Sequence, residues 1–287
     1  MRIRATVAVV SGALALSVFV APAAQSDSRG AADLDKPSAA ERFGVSSAKS
    51  AFSAAAAADE PVVSKVTVNS GKSVVVGTTY AKTFTVSLTA SHASGIEDAY
   101  IDLWHGTDVE TDIDGLLWPN EETATCSASS ATTSTCKLTI TAEPGTDLYM
   151  NALAGTWHVT AGVLAGDGTV FWNDYFTTHK VQRAARLTAN ASPEPVKKGK
   201  TITVTGKLSR ANWQTFKYAG YTNQSVKLQF RKKGTDTYTT LKTIKSNSTG
   251  DLKTTVTAST DGYFRYSFAG TSTTPAINAA GDFVDVQ

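Results

Sequence analysis

From Pro61 to the end, the chain alternates apolar and polar residues with a period of two, and nowhere in that stretch does a 3.6-residue period appear. That feature decides the fold class, because a period of two puts one face of a strand into a core and the other into solvent. Val63-Ser-Lys-Val66-Thr-Val68, Thr83 to Thr89, Ala99 to Trp104, Cys136 to Thr141, Gly155 to Val163 and Phe171 to Thr177 read as six strands. Gly166-Asp167-Gly168 is a hairpin turn signal before the last. After a short joint at Val181–Leu187 the pattern resumes. Leu187–Ala191, Ile202–Leu208, Val226–Phe230, Tyr238–Ile244, Leu252–Val256, Tyr263–Phe268 and Phe283–Val286 read as seven more. Seven short strands in about 100 residues suit an immunoglobulin-like sandwich. The expectation is all-β: two tandem sandwiches at 61–182 and 186–287, with limited bending at the joint.

The first sixty residues differ in kind. Arg2 and Arg4 precede an apolar run from Ala5 to Val20, and Ala21-Pro22-Ala23 offers small residues to a signal peptidase. Residues 1–24 therefore read as a secretory signal peptide, and no later run is long and apolar enough to span a membrane. Residues 25–60 are rich in Ala and Ser, with Leu34, Phe43, Val45 and Phe52 as the few large apolar groups from residue 27 to residue 60. They read as a disordered linker or, more sharply, a processed pro-segment. The only cysteines, Cys126 and Cys136, are separated by nine small residues, all Ser, Thr or Ala. In an exported chain they are expected to form a disulfide across a β-hairpin.

Two sets of residues resemble a known family. Gly155-Thr-Trp157-His-Val159 followed by Ala165-Gly-Asp167-Gly168 resembles the late strands of bacterial Ig-like domains. Lys198-Gly199-Lys200 through Leu208, Val226 to Arg231, Asp261-Gly262-Tyr263-Phe264-Arg265 and Phe268-Ala-Gly270 resemble a β-domain of secreted actinobacterial proteins. The resemblance covers roughly 62–287. It implies tandem Ig-like sandwiches outside the cell, and some relatives of this appearance carry a calcium-binding label.

Charge is divided between the halves. Residues 61–182 hold five Lys, no Arg and thirteen acids, net −8, whereas 183–287 hold sixteen basic residues and six acids, net +10. The densest acids are Asp108, Glu110, Asp112 and Asp114, followed by Gly115 and then Glu121. Counted from Glu110, the spacing follows an EF-hand loop, with Pro119 and the missing helices against it, so a weak Ca²⁺ site is one expectation and a solvated acidic loop the other. His105 beside it is a further candidate ligand, and His158 is expected to face solvent. Trp157 should be core and Trp118 on a loop. Trp104, Trp172 and Trp213 could pack the cores or form a carbohydrate platform. Asn212 to Tyr221 reads as an aromatic loop, and Lys197, Lys198, Lys200, Arg231, Lys232 and Lys233 as basic patches.

No HExxH pair, GxSxG elbow or P-loop occurs. The reading is a secreted, non-catalytic binding or surface-associated module, with no cofactor other than Ca²⁺. Its expected partner is a cell-wall polymer, a polysaccharide or another secreted protein, and nucleic acid is disfavoured by export. The alternative is a secreted protease inhibitor, presenting the Cys126–Cys136 hairpin, or a carbohydrate- or cell-wall-active hydrolase built on paired carboxylates.

Overall fold

The computed structural model describes residues 34–44 and 59–287. The expected signal peptide and residues 25–33 and 45–58 of the expected linker lie outside them. Among the described residues no helix is long and apolar enough to cross a membrane.

Four sheets carry the chain, in two pairs. In the first pair, a four-stranded antiparallel sheet runs in the order Val62–Val68, Lys82–Ser91, Thr133–Ala142, Thr125–Ala128. Its partner is six-stranded. Val74–Val76 pairs in parallel with Val170–Arg183, which pairs with Gly155–Ala165, then Leu103–Asp108, then Asp112–Leu117; Ile96–Tyr100 also pairs with Gly155–Ala165. Inward-facing Phe84, Val86 and Leu88 meet Trp157, Val159 and Val163 between the sheets. In the second pair, Thr201–Asn212 pairs with Ala185–Leu187, Asn190–Ser192, Lys217–Gly220 and Asp251–Thr257. The facing sheet orders Thr239–Lys245, Ser225–Lys232, Gly262–Phe268 and Ile277–Asn278, with Asp282–Val284 also on Gly262–Phe268. Ile202, Val204, Leu208, Leu228, Phe264 and Tyr266 fill the core between them. This is the all-β, immunoglobulin-like sandwich class that the period of two predicts.

Four local readings change. The expected strand Ala99–Trp104 is interrupted at Ile101-Asp102, and its halves are separate strands. The expected acidic loop and the expected aromatic loop each contain a strand, Asp112–Leu117 and Lys217–Gly220. Residues 34–44, inside the expected disordered linker, hold a five-residue helix, Ala39–Phe43. Ser38 and Glu41 close a capping box on it, and Gly44 ends it in the left-handed region at φ +66°. So short a helix is not stable alone. It is held by what its segment touches on the first sandwich.

The halves share a core. Ala211 and Trp213 belong to the second half but pack among Val74, Val76 and Trp157 of the first, and Tyr218 packs against the same cluster. Asn151 fixes the approach: its Nδ2 donates to Asn212 Oδ1 at 2.9 Å and its Oδ1 accepts from the Trp213 amide at 3.0 Å.

Candidate functional site

The proposed metal ligands divide between one hairpin and, for Glu121, the opposite sheet. Asp108 and Asp112 face each other across a hairpin rather than along a loop. Gly106, at φ +144°, lets the strands close there, since a Cβ would lie 1.9 Å from the Asp112 carbonyl oxygen. Asp108 Oδ1 accepts from the Thr111 hydroxyl at 2.9 Å and from the Glu110 and Thr111 amides at 3.0 and 2.9 Å, a local turn that holds its pKa below the usual carboxylate range. Asp112 accepts from Thr107, and Asp114 meets His105 Nδ1. Glu121 accepts from the Thr139 amide at 2.7 Å on the other sheet, while Glu110 stays at the hairpin tip. Among the described residues no group of three or more His, Cys, Asp and Glu side chains is arranged to hold a metal ion. Asp112 and Asp114, two apart on one strand, and Asp108, opposite Asp112, share the hairpin, whereas Glu121 lies against the other sheet.

Cys126 and Cys136 are bonded as directly opposed residues of one hairpin, Thr125–Ala128 with Thr133–Ala142. Trp157 is core and Trp118 is exposed. Trp104 and Trp213 are fully buried, so they cannot form a platform. His158 does not face solvent freely. Its ring stacks on Trp104 at 4.2 Å, and burial holds its pKa below the ordinary value.

The densest cluster of polar groups inside the molecule surrounds Thr160, in the middle of the strand Gly155–Ala165. On one side of that strand the chain breaks at Asp102, whose carbonyl accepts from the Thr160 amide at 3.1 Å. On the other side the register jumps from Asn173↔Ala161 to Thr177↔Val159, so three residues of a bulge, Asp174 among them, lie against Thr160 alone. Bulges re-aim side chains out of the regular alternation. The two irregularities bring the Asp102 and Asp174 carboxylates to one place.

Lys36 fills the space between them. Its side chain is only 4% exposed, its Nζ lies 3.4 Å from Asp102 Oδ2, and it contacts Asp174 Oδ1. Asp102 is fully buried. Tyr100 donates to its Oδ2 at 3.0 Å, and its Oδ1 has no hydrogen-bond partner. Burial raises the Asp102 pKa against the opposing pull of Lys36. Trp172 Nε1 donates to Asp174 Oδ1 at 3.0 Å and Trp104 Nε1 to the Asp174 carbonyl at 2.8 Å. The Trp172 ring also forms a floor beneath the ammonium, 5.0 Å from its centroid, and Tyr100 stacks on that ring. Gly162 makes room for it, because a Cβ there would come within 2.6 Å of the indole. The segment is secured further on by Arg42, whose Nη2 donates to Asp98 Oδ2 at 2.9 Å, and by Phe43, edge-on to Trp172.

Sequence reasoning missed Lys36, Asp102 and Asp174. One signal was legible: Asp102 is a lone charge inside the apolar run Tyr100-Ile-Asp-Leu-Trp104, and a buried charge demands a partner.

A second cluster lies on the outer face of the second pair of sheets. Cross-strand register sets Gln229 against Arg265, Arg231 against Tyr263, and Tyr263 against Phe283. The Arg265 guanidinium lies 3.7 Å from the Tyr238 ring centroid and that of Arg231 lies 4.1 Å from Tyr263. Lys233 sits 5.2 Å over Phe283.

The fold and these two clusters define a tandem Ig-like β-sandwich chain with an anchored N-terminal segment. Residues 68–165 match the model of a family described as a family of unknown function, DUF5707. No curated protein matches the chain. Among solved structures it is similar to the D00-D0 domain of intimin, at 14% identity over 77% of this chain and 99% of that one, TM-score 0.25. It is similar to the adhesin InvE of Yersinia pseudotuberculosis, at 13% identity over 76% and 58%, TM-score 0.26. It is also similar to a marsupial T cell receptor, at 11% identity over 80% and 73%, TM-score 0.27. At such scores these likenesses carry no argument about function.

Proposed function

We propose that the chain is a non-catalytic extracellular binding module whose second sandwich holds an anionic cell-wall polymer on its arginine–tyrosine face. The observation that carries this reading is the alignment of Arg231, Arg265 and Lys233 over Tyr238, Tyr263 and Phe283 in a half with net charge +10. An aromatic face lowers the entropy cost of ordering a guanidinium; Arg231 Nη1 donates to the Thr235 carbonyl and Arg265 Nε to Gln229 Oε1 at 2.9 Å, and the remaining N–H groups of each would take carboxylate or phosphate. The acidic first half repels the same polymer, which favours one orientation on it.

Retention of the purified chain on a phosphate- or carboxylate-bearing cell-wall polymer, with a neutral glucan as control, tests the reading. Retention is expected on the charged polymer alone and is expected to fall as salt rises. Arg231→Ala with Arg265→Ala should weaken it by about tenfold or more, the worth of a charge-assisted contact. Lys197→Ala with Lys198→Ala, away from the aromatic face, should weaken it less. Equal retention on both polymers, or wild-type retention by the arginine variant, would reject the assignment.

A further inference from the structure

We infer that Lys36 and Asp174 are joined by an intramolecular amide bond, formed inside the folded first sandwich with Asp102 as the proton donor. An amine, a carboxylate and a second carboxyl group meet in one desolvated site. Lys36 contacts Asp174 and lies 3.4 Å from Asp102, and an indole N–H fixes the Asp174 oxygen that Lys36 touches. The site is otherwise badly balanced. One ammonium faces two carboxyl groups, and Asp102 Oδ1 is buried with no donor.

The physical argument starts from the ions. In water, an ammonium and a carboxylate resist condensation because both are well solvated. Burial removes that solvation, and an isolated buried ion pair recovers only part of the loss. Proton transfer from Lys36 Nζ to Asp174 gives a neutral amine beside a carboxylic acid. The amine lone pair then attacks Asp174 Cγ. Asp102 is poised to stay protonated, since burial raises its pKa. It gives its proton to the departing hydroxyl of Asp174 and recovers one from the Lys36 nitrogen. The Nζ–Cγ bond forms, a Cγ–O bond breaks, and one water leaves. Ammonium plus carboxylate becomes amide plus water, with no redox change and no cofactor. Asp174 is 23% exposed, so the water has a way out. Positioning by the fold replaces an encounter and holds the reacting groups at a high effective concentration. The product amide is neutral, retains an N–H that can turn toward Asp102, and removes the two charges whose burial was costly. It also ties residues 34–44 permanently to the strand Val170–Arg183.

The test is the intact mass of the full secreted chain, denatured and reduced. The expected mass is lower by one water than that of the sequence from its observed N-terminus. Trypsin should release a branched peptide joining residues 30–42 to 138–180, a span without Lys or Arg before Lys180. Lys36→Arg and Asp174→Ala should each restore the full mass. Asp102→Asn keeps the size and an acceptor but has no acid proton, and should slow the bond by roughly a hundredfold or more. Formation of the Cys126–Cys136 disulfide in every variant reports that the first sandwich has folded. A folded wild-type chain that retains Lys36 at full mass would overturn the inference. So would a secreted chain beginning beyond Lys36 with no attached peptide. A branch to residues 83–137 would overturn the assignment of Asp174 and Asp102 to their separate roles. None of these outcomes depends on the polymer-binding face.

Discussion

Asp98 shows how much one carboxylate can hold. It is buried, its Oδ1 accepts from the Ala99 and Ala124 amides at 2.8 Å each, and its Oδ2 takes Arg42. Asp98→Ala would orphan two buried N–H groups and a cation, and is expected to cost about 2–4 kcal/mol in urea unfolding of the whole chain. Asp98→Asn keeps an acceptor for both amides and should cost less than half of that. Equal losses would mean that the Arg42 charge, rather than the amides, dominates. At this scale the sequence was partly legible. A lone Asp in an apolar run announces a buried partner, but Lys36 is 66 positions from Asp102 in the chain and nothing in its neighbourhood marks it. Asp174 is equally silent, because its direction comes from a bulge that depends on the pairing of another strand.

Among the elements, the strand Thr201–Asn212 has the widest influence. It pairs with four others in the second half and then delivers Trp213 into the first core. Trp213 is fully buried and its Nε1 donates to the Val76 carbonyl at 3.4 Å. Trp213→Ala should therefore destabilise the first sandwich by about 3–5 kcal/mol although the residue lies outside it in sequence. Hydrogen exchange of the amides in Val74–Val76 and Gly155–Ala165 is the direct measure. We propose 61–182 and 186–287 as the folding units, with the first expected to melt below its temperature in the full chain because it lacks Trp213. An unchanged melting temperature in the isolated fragment would contradict a shared core. The period of two identified the long strands closely. It missed Val74–Val76 and Ile277–Asn278, which are too short to show a period, and it read Lys217–Gly220 as loop because four residues show little alternation, although they form a hairpin with the strand before them, Asn212 opposite Lys217.

For the molecule as a whole, the division into a half with net charge −8 and a half with +10 is fixed by composition, but what the charges do is not. Asp98 and Asp102 lie buried beside Arg42 and Lys36, Asp108 is bonded within its own turn, and Glu121 is bonded to Thr139 of another strand. Each of these four carboxylates already has a partner from the protein. Thermal melts of the full chain in excess EDTA and in excess Ca²⁺ are expected to coincide. A rise of several degrees in Ca²⁺, abolished by Asp112→Ala with Asp114→Ala, would return the acidic hairpin to a metal site. The sequence by itself determined the all-β class, the strand faces, the Cys126–Cys136 staple and the charge asymmetry. Each of these follows from neighbours along the chain or from simple counts. Only the tertiary structure decided that Lys36 enters a buried site between Asp102 and Asp174, that Trp213 belongs to the first core, and that Glu121 bonds to Thr139 on the sheet opposite the acidic hairpin. Those outcomes depend on strand register and bulges, where a shift of one residue reverses which face a side chain takes. No local pattern encodes that choice, because the free energy that selects it is shared among strands distant in sequence.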